Sequence, residues 1–320
     1  MIEVNNLIRR FGEVEAVKGV SFDAAEGEVF GFLGPNGAGK TTTINVLCTL
    51  LRPTSGGAAV NGFDVVRQRS DVRRSIGLVF QQPTLDETLS AEQNLRFHGY
   101  AYGVPGEIRE ERIREVLTLV ELWDRRGERV RSFSGGMKRR LEIARGLLHR
   151  PRVLFLDEPT LGLDPQTRRR VWGYLAELRT RESLTIFLTT HYMDEAENCD
   201  RIGVIDRGQI VALDTPERLK SAMGGDLITI TTQDGQGAAN DLHRLFDLFP
   251  RVTDGTVSFQ VPSGEAFLPE LVRGLDRPLE AISLRRPTLD DVFLHLTGHE
   301  IRDQVRSQNG PAVSGERWRR

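Results

Sequence analysis

The apolar run VFGFL (29–33) leads directly into GPNGAGKTT (34–42), and no other stretch restricts the fold so tightly. Glycine loses more backbone freedom on ordering than any other residue, so Gly34, Gly37 and Gly39 in one loop imply a backbone that goes where a Cβ would block it. The spacing Gly34–x–x–x–x–Gly39–Lys40–Thr41 fits a strand, a loop whose successive backbone N–H groups wrap a polyphosphate, and a helix with its positive end toward the anion. Pro35, Asn36, Ala38 and Thr42 complete the predicted cradle. Gly37 and Gly39 admit close approach, Lys40 brings a charge to the β and γ phosphates, and the Thr41 hydroxyl is placed to ligate Mg²⁺. The following TTTINVLCTLL reads as the helix, ended by RPTSGG.

At 320 residues the chain has room for about two domains. A net charge of −2 provides no broad positive field, so phosphate binding must be local and no nucleic-acid partner is expected. Cys48 and Cys199 stand alone, without metal-ligand spacing, and read as packed, reduced thiols. The opening MIEVNNLIRRFG lacks the apolar core of a signal peptide, and no run approaches the ~18 apolar residues of a membrane span. Any work at a membrane would therefore need spanning segments on other chains.

IEVNNL and VSFDAA alternate with period two, as half-buried antiparallel strands do. SIGLVF (75–80), VLFL (153–156) and LTIFLTT (184–190) are continuous apolar runs that suit a parallel sheet buried on both faces. Residues 88–130 and 165–182 read as helical, with a capping-box pattern from Ser90 to Gln93. The predicted first unit, residues 1–225, is thus α/β: a mixed sheet with an antiparallel β part and a helical subdomain over about 84–150. Residues 226–297 read strand (227–232), helix (238–248), hairpin (251–261), helix (265–274), strand (279–285) and helix (288–296). That is the βαββαβ order of a small α+β, ferredoxin-like domain, with one helix added. On this division the first unit is expected to fold without residues 226–320. Residues 298–320 have too few apolar side chains for a core and are predicted to be a disordered tail.

Two further stretches carry chemistry. VLFLDEPT runs a buried strand out to Asp157 and Glu158 at its carboxyl end, where open α/β sheets bind ligands. Asp157 is placed to hold Mg²⁺, and Glu158 to polarise an attacking water. FSGGMKRRLEIARGLL has Ser134 as an N-cap, then Met137, Leu141, Ala144 and Leu148 at helical spacing. It offers a second helix N-terminus, where one would suffice to bind a nucleotide.

GPNGAGKTT, FSGGM, VLFLDEPT, LGLD and the histidine of LTTH occur in the order and spacing of the ATP-binding-cassette (ABC) ATPases, and residues 1 to about 220 resemble that family. The resemblance implies ATP and Mg²⁺, and two cassettes facing head to tail with each nucleotide between one phosphate loop and the other's signature helix. Ser134, Gly135 and Gly136 would then contact the γ-phosphate in the partner's site, the partner being a second, identical copy. Phe11 matches the aromatic that stacks on adenine, a core phenylalanine being the alternative. Gln81 matches the glutamine near Mg²⁺ and the attacking water, favoured over Gln82 because it directly follows the strand. Asp164 matches the loop that signals between cassettes, and His191 the switch histidine at the γ-phosphate. Phe133 and Met137 depart from the family's common Leu and Gln, which leaves the role of Met137 open.

The wording VFGFLGPNGAGKTTTI and LTTHYMDEAE, with the ending PTLDDVFLHLTG, further resembles the daunorubicin-resistance branch of ATP-binding proteins. This implies an ATPase that energises export of a drug, antibiotic or lipid through separately encoded membrane subunits, at the cytoplasmic face of the membrane. Two alternatives stand beside it: an importer ATPase with a regulatory C-terminal domain, and a soluble cassette ATPase acting on ribosomes or DNA. The first calls for a more β-rich extension, the second for paired cassettes or a long coiled-coil insertion. Phe97, Tyr100 and Tyr102 are predicted to dock a membrane subunit, or else to pack inside the helical subdomain.

Overall fold

The computed structural model describes residues 1–298 other than 254 and 276, so the predicted tail beyond Gly298 lies outside them. The architecture is mixed α/β, built on three sheets. The central one is six-stranded, in the order Gln209–Asp214, Arg201–Asp206, Val29–Leu33, Thr185–Thr190, Val153–Asp157, Ile76–Val79. All its pairings are parallel except the first, which is antiparallel. Val29–Leu33, Val153–Asp157 and Thr185–Thr190 are buried at every residue, as continuous apolar runs covered on both faces should be. Because these three strands are parallel neighbours, the chain leaves all of them at one edge. The glycine loop, Asp157 with Glu158, and His191 therefore emerge together.

An antiparallel sheet, Val14–Ala24, Ile2–Phe11, Ser55–Val60 and Phe63–Asp64, packs against one face of the central sheet. Its Ile2, Val4 and Leu7 turn inward. Phe22 meets Phe30, Phe32 and Phe187 with ring centroids 5.3, 5.4 and 5.7 Å apart, a cluster worth about 0.5–1.5 kcal/mol per pair beyond burial. The helical part carries the helices Ala91–Ala101, Gly106–Leu119 and Gly135–Leu147, which share one core with the other face of the central sheet. Ser90 caps its helix as predicted, with the full Ser90–Gln93 capping box.

The C-terminal sheet runs Arg251–Thr253, Thr256–Val261, Asp226–Thr231, Ala281–Arg285, all antiparallel. The split order is that of a ferredoxin-like βαββαβ fold, with helices Gly235–Phe246 and Gly264–Gly274 as the crossovers. Ile228, Ile230, Val257 and Phe259 meet Ala238, Leu242 and Leu271 in a core of its own. The last helix, Leu289–Thr297, does not join that core. Its Leu289, Val292 and Phe293 are buried in the cluster that also holds Met193, Ala196 and Leu219, with Met223 packed beside it.

This return of the chain has a consequence for stability. Phe293→Ala is expected to destabilise the protein by about 3–5 kcal/mol in a denaturant titration. Against the expectation that the first unit folds without residues 226–320, the fragment 1–225 lacks the cover of this helix and is expected to aggregate. An unchanged midpoint for the variant, or a soluble fragment as stable as the full chain, would contradict the packing.

Candidate functional site

The glycine loop is shaped by its neighbours. A Cβ on Gly34 would come within 2.2 Å of the Ile205 carbonyl. Gly39 combines φ +107° with a would-be Cβ 2.6 Å from the Ala16 carbonyl, so only glycine fits. Gly39 is the N-cap of helix Lys40–Leu47 and supplies no side-chain cap, which leaves the first-turn N–H groups for an incoming anion. Asn36, Gly37, Gly39, Lys40, Thr41 and Thr42 line a cleft of about 790 Å³ with Gln81, Gln82 and Glu158 opposite.

Lys40 is 4% exposed. Its Nζ donates to the Gly34 and Pro35 carbonyls at 2.7 and 3.1 Å and lies 3.2 Å from Glu158 Oε1. Burial lowers the ammonium's pKa, against the pull of Glu158. Glu158 also accepts from Gln81 Nε2 at 3.0 Å, and His191 Nδ1 stands 3.4 Å from it. Three of the predicted residues, Lys40, Gln81 and His191, thus converge on the carboxylate of a fourth, Glu158. The Glu158 backbone sits at φ +46°, a left-handed conformation that costs a side-chain-bearing residue energy and clusters at functional sites.

The adjacent acids are driven apart. Burial raises the Asp157 carboxyl, opposed by hydroxyl donors from Thr189 at 2.5 Å and Thr41 at 3.3 Å. Burial also pushes Glu158 upward, but the His191 hydrogen bond and the Lys40 charge outweigh it, leaving Glu158 below its ordinary value and ionised at neutral pH. The Thr41 hydroxyl and the Asp157 carboxylate, already facing each other, form the kind of oxygen donor set a hard cation such as Mg²⁺ takes. The arrangement can hold a polyphosphate, a divalent cation and a polarised water together.

The other predicted residues lie elsewhere. Phe11 is half exposed, does not line the cleft, and carries the Arg9 guanidinium 4.4 Å from its ring centroid. Ser134 and Gly135 are exposed, outside the cleft of their own chain. Ser134 caps helix Gly135–Leu147 through the Met137 N–H, while Gly136 packs on Thr167. Asp164 caps the helix Pro165–Glu182 and accepts the Thr167 hydroxyl at 2.6 Å, so Thr167 joins its loop to the signature turn. Met137 is buried with its sulfur 3.3 Å from Arg125, which makes it a packing residue. Nothing local in the sequence points to Thr189 on Asp157. It also hid the buried Arg139, whose setting in MKRR reads as a solvated charge run.

Known proteins agree with this geometry. The family described as ABC transporter matches residues 17–161. The chain is 43% identical over 307 residues to the daunorubicin resistance ATP-binding protein DrrA3 of Streptomyces coeruleorubidus, covering 94% of this chain and 97% of the relative. It is 36% identical over 312 residues to the linearmycin resistance ATP-binding protein LnrL of Bacillus subtilis (strain 168), covering 95% and 100%. Among solved structures, the dimer of the ATP-binding cassette MJ0796 bound to ADP and Pi superposes with a TM-score of 0.61 at 29% identity, covering 67% of this chain and 98% of that one. CbiO1 from Clostridium perfringens, part of the ABC transporter complex cbiONQ, gives 0.64 at 26% identity, covering 77% and 95%.

Removing the ammonium tests the cradle. Lys40→Ala is expected to weaken ATP binding roughly 10- to 100-fold, the worth of one charge-assisted hydrogen bond, read by titration calorimetry. Unchanged affinity would contradict the role of the loop.

Proposed function

Because the chain belongs to the ABC transporter family of ATP-binding subunits, we propose that it is the ATP-hydrolysing motor of an exporter whose cargo is a drug, antibiotic or lipid. Cargo and direction come from the likeness to resistance proteins along nearly the whole chain, C-terminal sheet and last helix included. No helix among the described residues is long and apolar enough to cross a membrane, so the transport path is assigned to separately encoded subunits. The chain would bind them at the cytoplasmic face. Phe97 and Tyr100, 70% and 64% exposed, favour a docking role, whereas Tyr102 stacks on His149.

The single observation that carries the mechanism is the separation of Ser134–Gly136 from the cleft of their own chain. A helix N-terminus with Ser134 and Gly135 exposed suits a phosphate supplied by another copy. Two identical chains would clasp two ATP molecules, each between the loop 34–42 of one and the turn 134–136 of the other. Thr41 and Asp157, with Gln81 nearby, would hold Mg²⁺, which when bound neutralises charge on the phosphates. Lys40 fixes the β and γ phosphates, and His191 grips the γ-phosphate. Glu158, ionised and oriented by Gln81, polarises the attacking water. Loss of the shared γ-phosphate removes what favours the closed pair, and its reopening moves the membrane subunits. The ferredoxin-like unit beginning at residue 226 belongs to the same proposal, amended in that the last helix is part of the motor's core and residues 1–225 alone do not make up the motor.

Glu158→Gln tests both base and clasp. Turnover is expected to fall about 100-fold or more with ATP binding retained, and an ATP-dependent dimer to accumulate on gel filtration. Wild-type turnover would remove Glu158 from its role, and a monomer at saturating ATP would remove the clasp. Extracted gently from membranes, the wild-type chain is expected to retain spanning polypeptides; recovery on ribosomes or DNA instead would favour the soluble alternative.

A further inference from the structure

A guanidinium 7% exposed sits in the middle of helix Gly135–Leu147. Arg139 uses every N–H it has. Nε donates to the Pro159 carbonyl at 2.5 Å, and Nη2 to the Asp157 and Glu158 carbonyls at 3.1 and 3.2 Å. Nη1 donates to the Phe80 carbonyl and, at 3.2 Å, to Glu142. One side chain therefore grips the backbone at both acids and at the residue before Gln81. One turn on, the fully buried Glu142 accepts the Thr84 N–H at 2.8 Å, and Arg145 donates to the Thr84 carbonyl at 2.9 Å. Residues 139, 142 and 145 share one helix face and hold the loop carrying Gln81 at both its ends. That loop and the 157–159 segment present the Gln81–Glu158 hydrogen bond described above.

The same helix begins at the signature turn, about 6 Å along its axis from Arg139. We propose that Arg139 is a positioning residue that holds Glu158 and Gln81 of its own chain in register, so that its loss damages the nucleotide site built on its own phosphate loop and spares the site its signature turn completes. The inference rests on the shared-nucleotide reading above. Arginine is required because a planar fork reaches two separate segments at once, which a lysine ammonium does not. A helix carrying only the signature turn would have no need of a charge at this depth, since burying one costs free energy unless its bonds are all made.

Mixed dimers of the full chain, made from differently tagged copies, separate this role from simple support of the helix. Gly135→Asp supplies the signature lesion: a Cβ there meets no atom within 4 Å, so the fold accepts it while the carboxylate repels phosphate. Paired with Arg139→Gln on the other copy, both lesions fall on one nucleotide site, and roughly half the wild-type turnover is expected. With both substitutions on one copy, both sites are damaged and turnover is expected to fall about 100-fold, as for a misplaced reacting group. The KM for ATP of the Arg139→Gln homodimer is expected to stay within about twofold. The reverse pattern in the mixed dimers, or equal loss in both, overturns the proposal. Arg139→Lys, which keeps the charge and guards against misfolding, is expected to reproduce the pattern; full activity of its homodimer overturns the proposal as well. A Gly135→Asp homodimer with wild-type turnover would instead sink the shared-nucleotide reading, and this inference with it.

Discussion

A buried ammonium facing a buried carboxylate is costly to assemble, and the Lys40–Glu158 pair at 3.2 Å organises what surrounds it. Desolvation of two such ions is offset only when their remaining donors and acceptors are satisfied. Here the Gly34 and Pro35 carbonyls complete Lys40, while Gln81 and His191 complete Glu158. The pair joins the loop leaving one central strand to the turn leaving another, with Thr41 and Thr189 meeting at Asp157 beside it. Parallel neighbours in the sheet make this convergence geometrically cheap, because all the relevant chain ends lie at one edge.

The environment gives the two acids different characters. Burial raises the Asp157 pKa, a desolvation cost that a cation held there would offset. Glu158, whose pKa is lowered by its cationic and hydrogen-bonding neighbours, stays anionic and available to a water.

Much of this was legible because it is local. Gly34 and Gly39 are dictated by backbone clashes within the loop's own surroundings, the apolar runs by burial on both faces, and the Ser90–Gln93 cap by residues three apart. The strand and helix order of residues 226–297 was readable for the same reason. What escaped depends on distant partners. Arg139 lies in a basic run, and nothing local says that carbonyls from residues 80 and 157–159 surround it. The last helix has an ordinary amphipathic pattern, which cannot say that Phe293 faces Met193 and Leu219 rather than the sheet that precedes it. Met137, an open question in sequence, is settled by burial.

The central claim is that each nucleotide is shared between two chains. It is tested most directly by solving the full chain with Mg-ATP trapped by a slowed hydrolysis step, and reading which atoms touch the γ-phosphate. The account expects Lys40 and His191 of one copy and the Ser134–Gly136 turn of the other on the same phosphate. An ATP held wholly by one chain, with residues 134–136 of every copy away from it, would contradict the account.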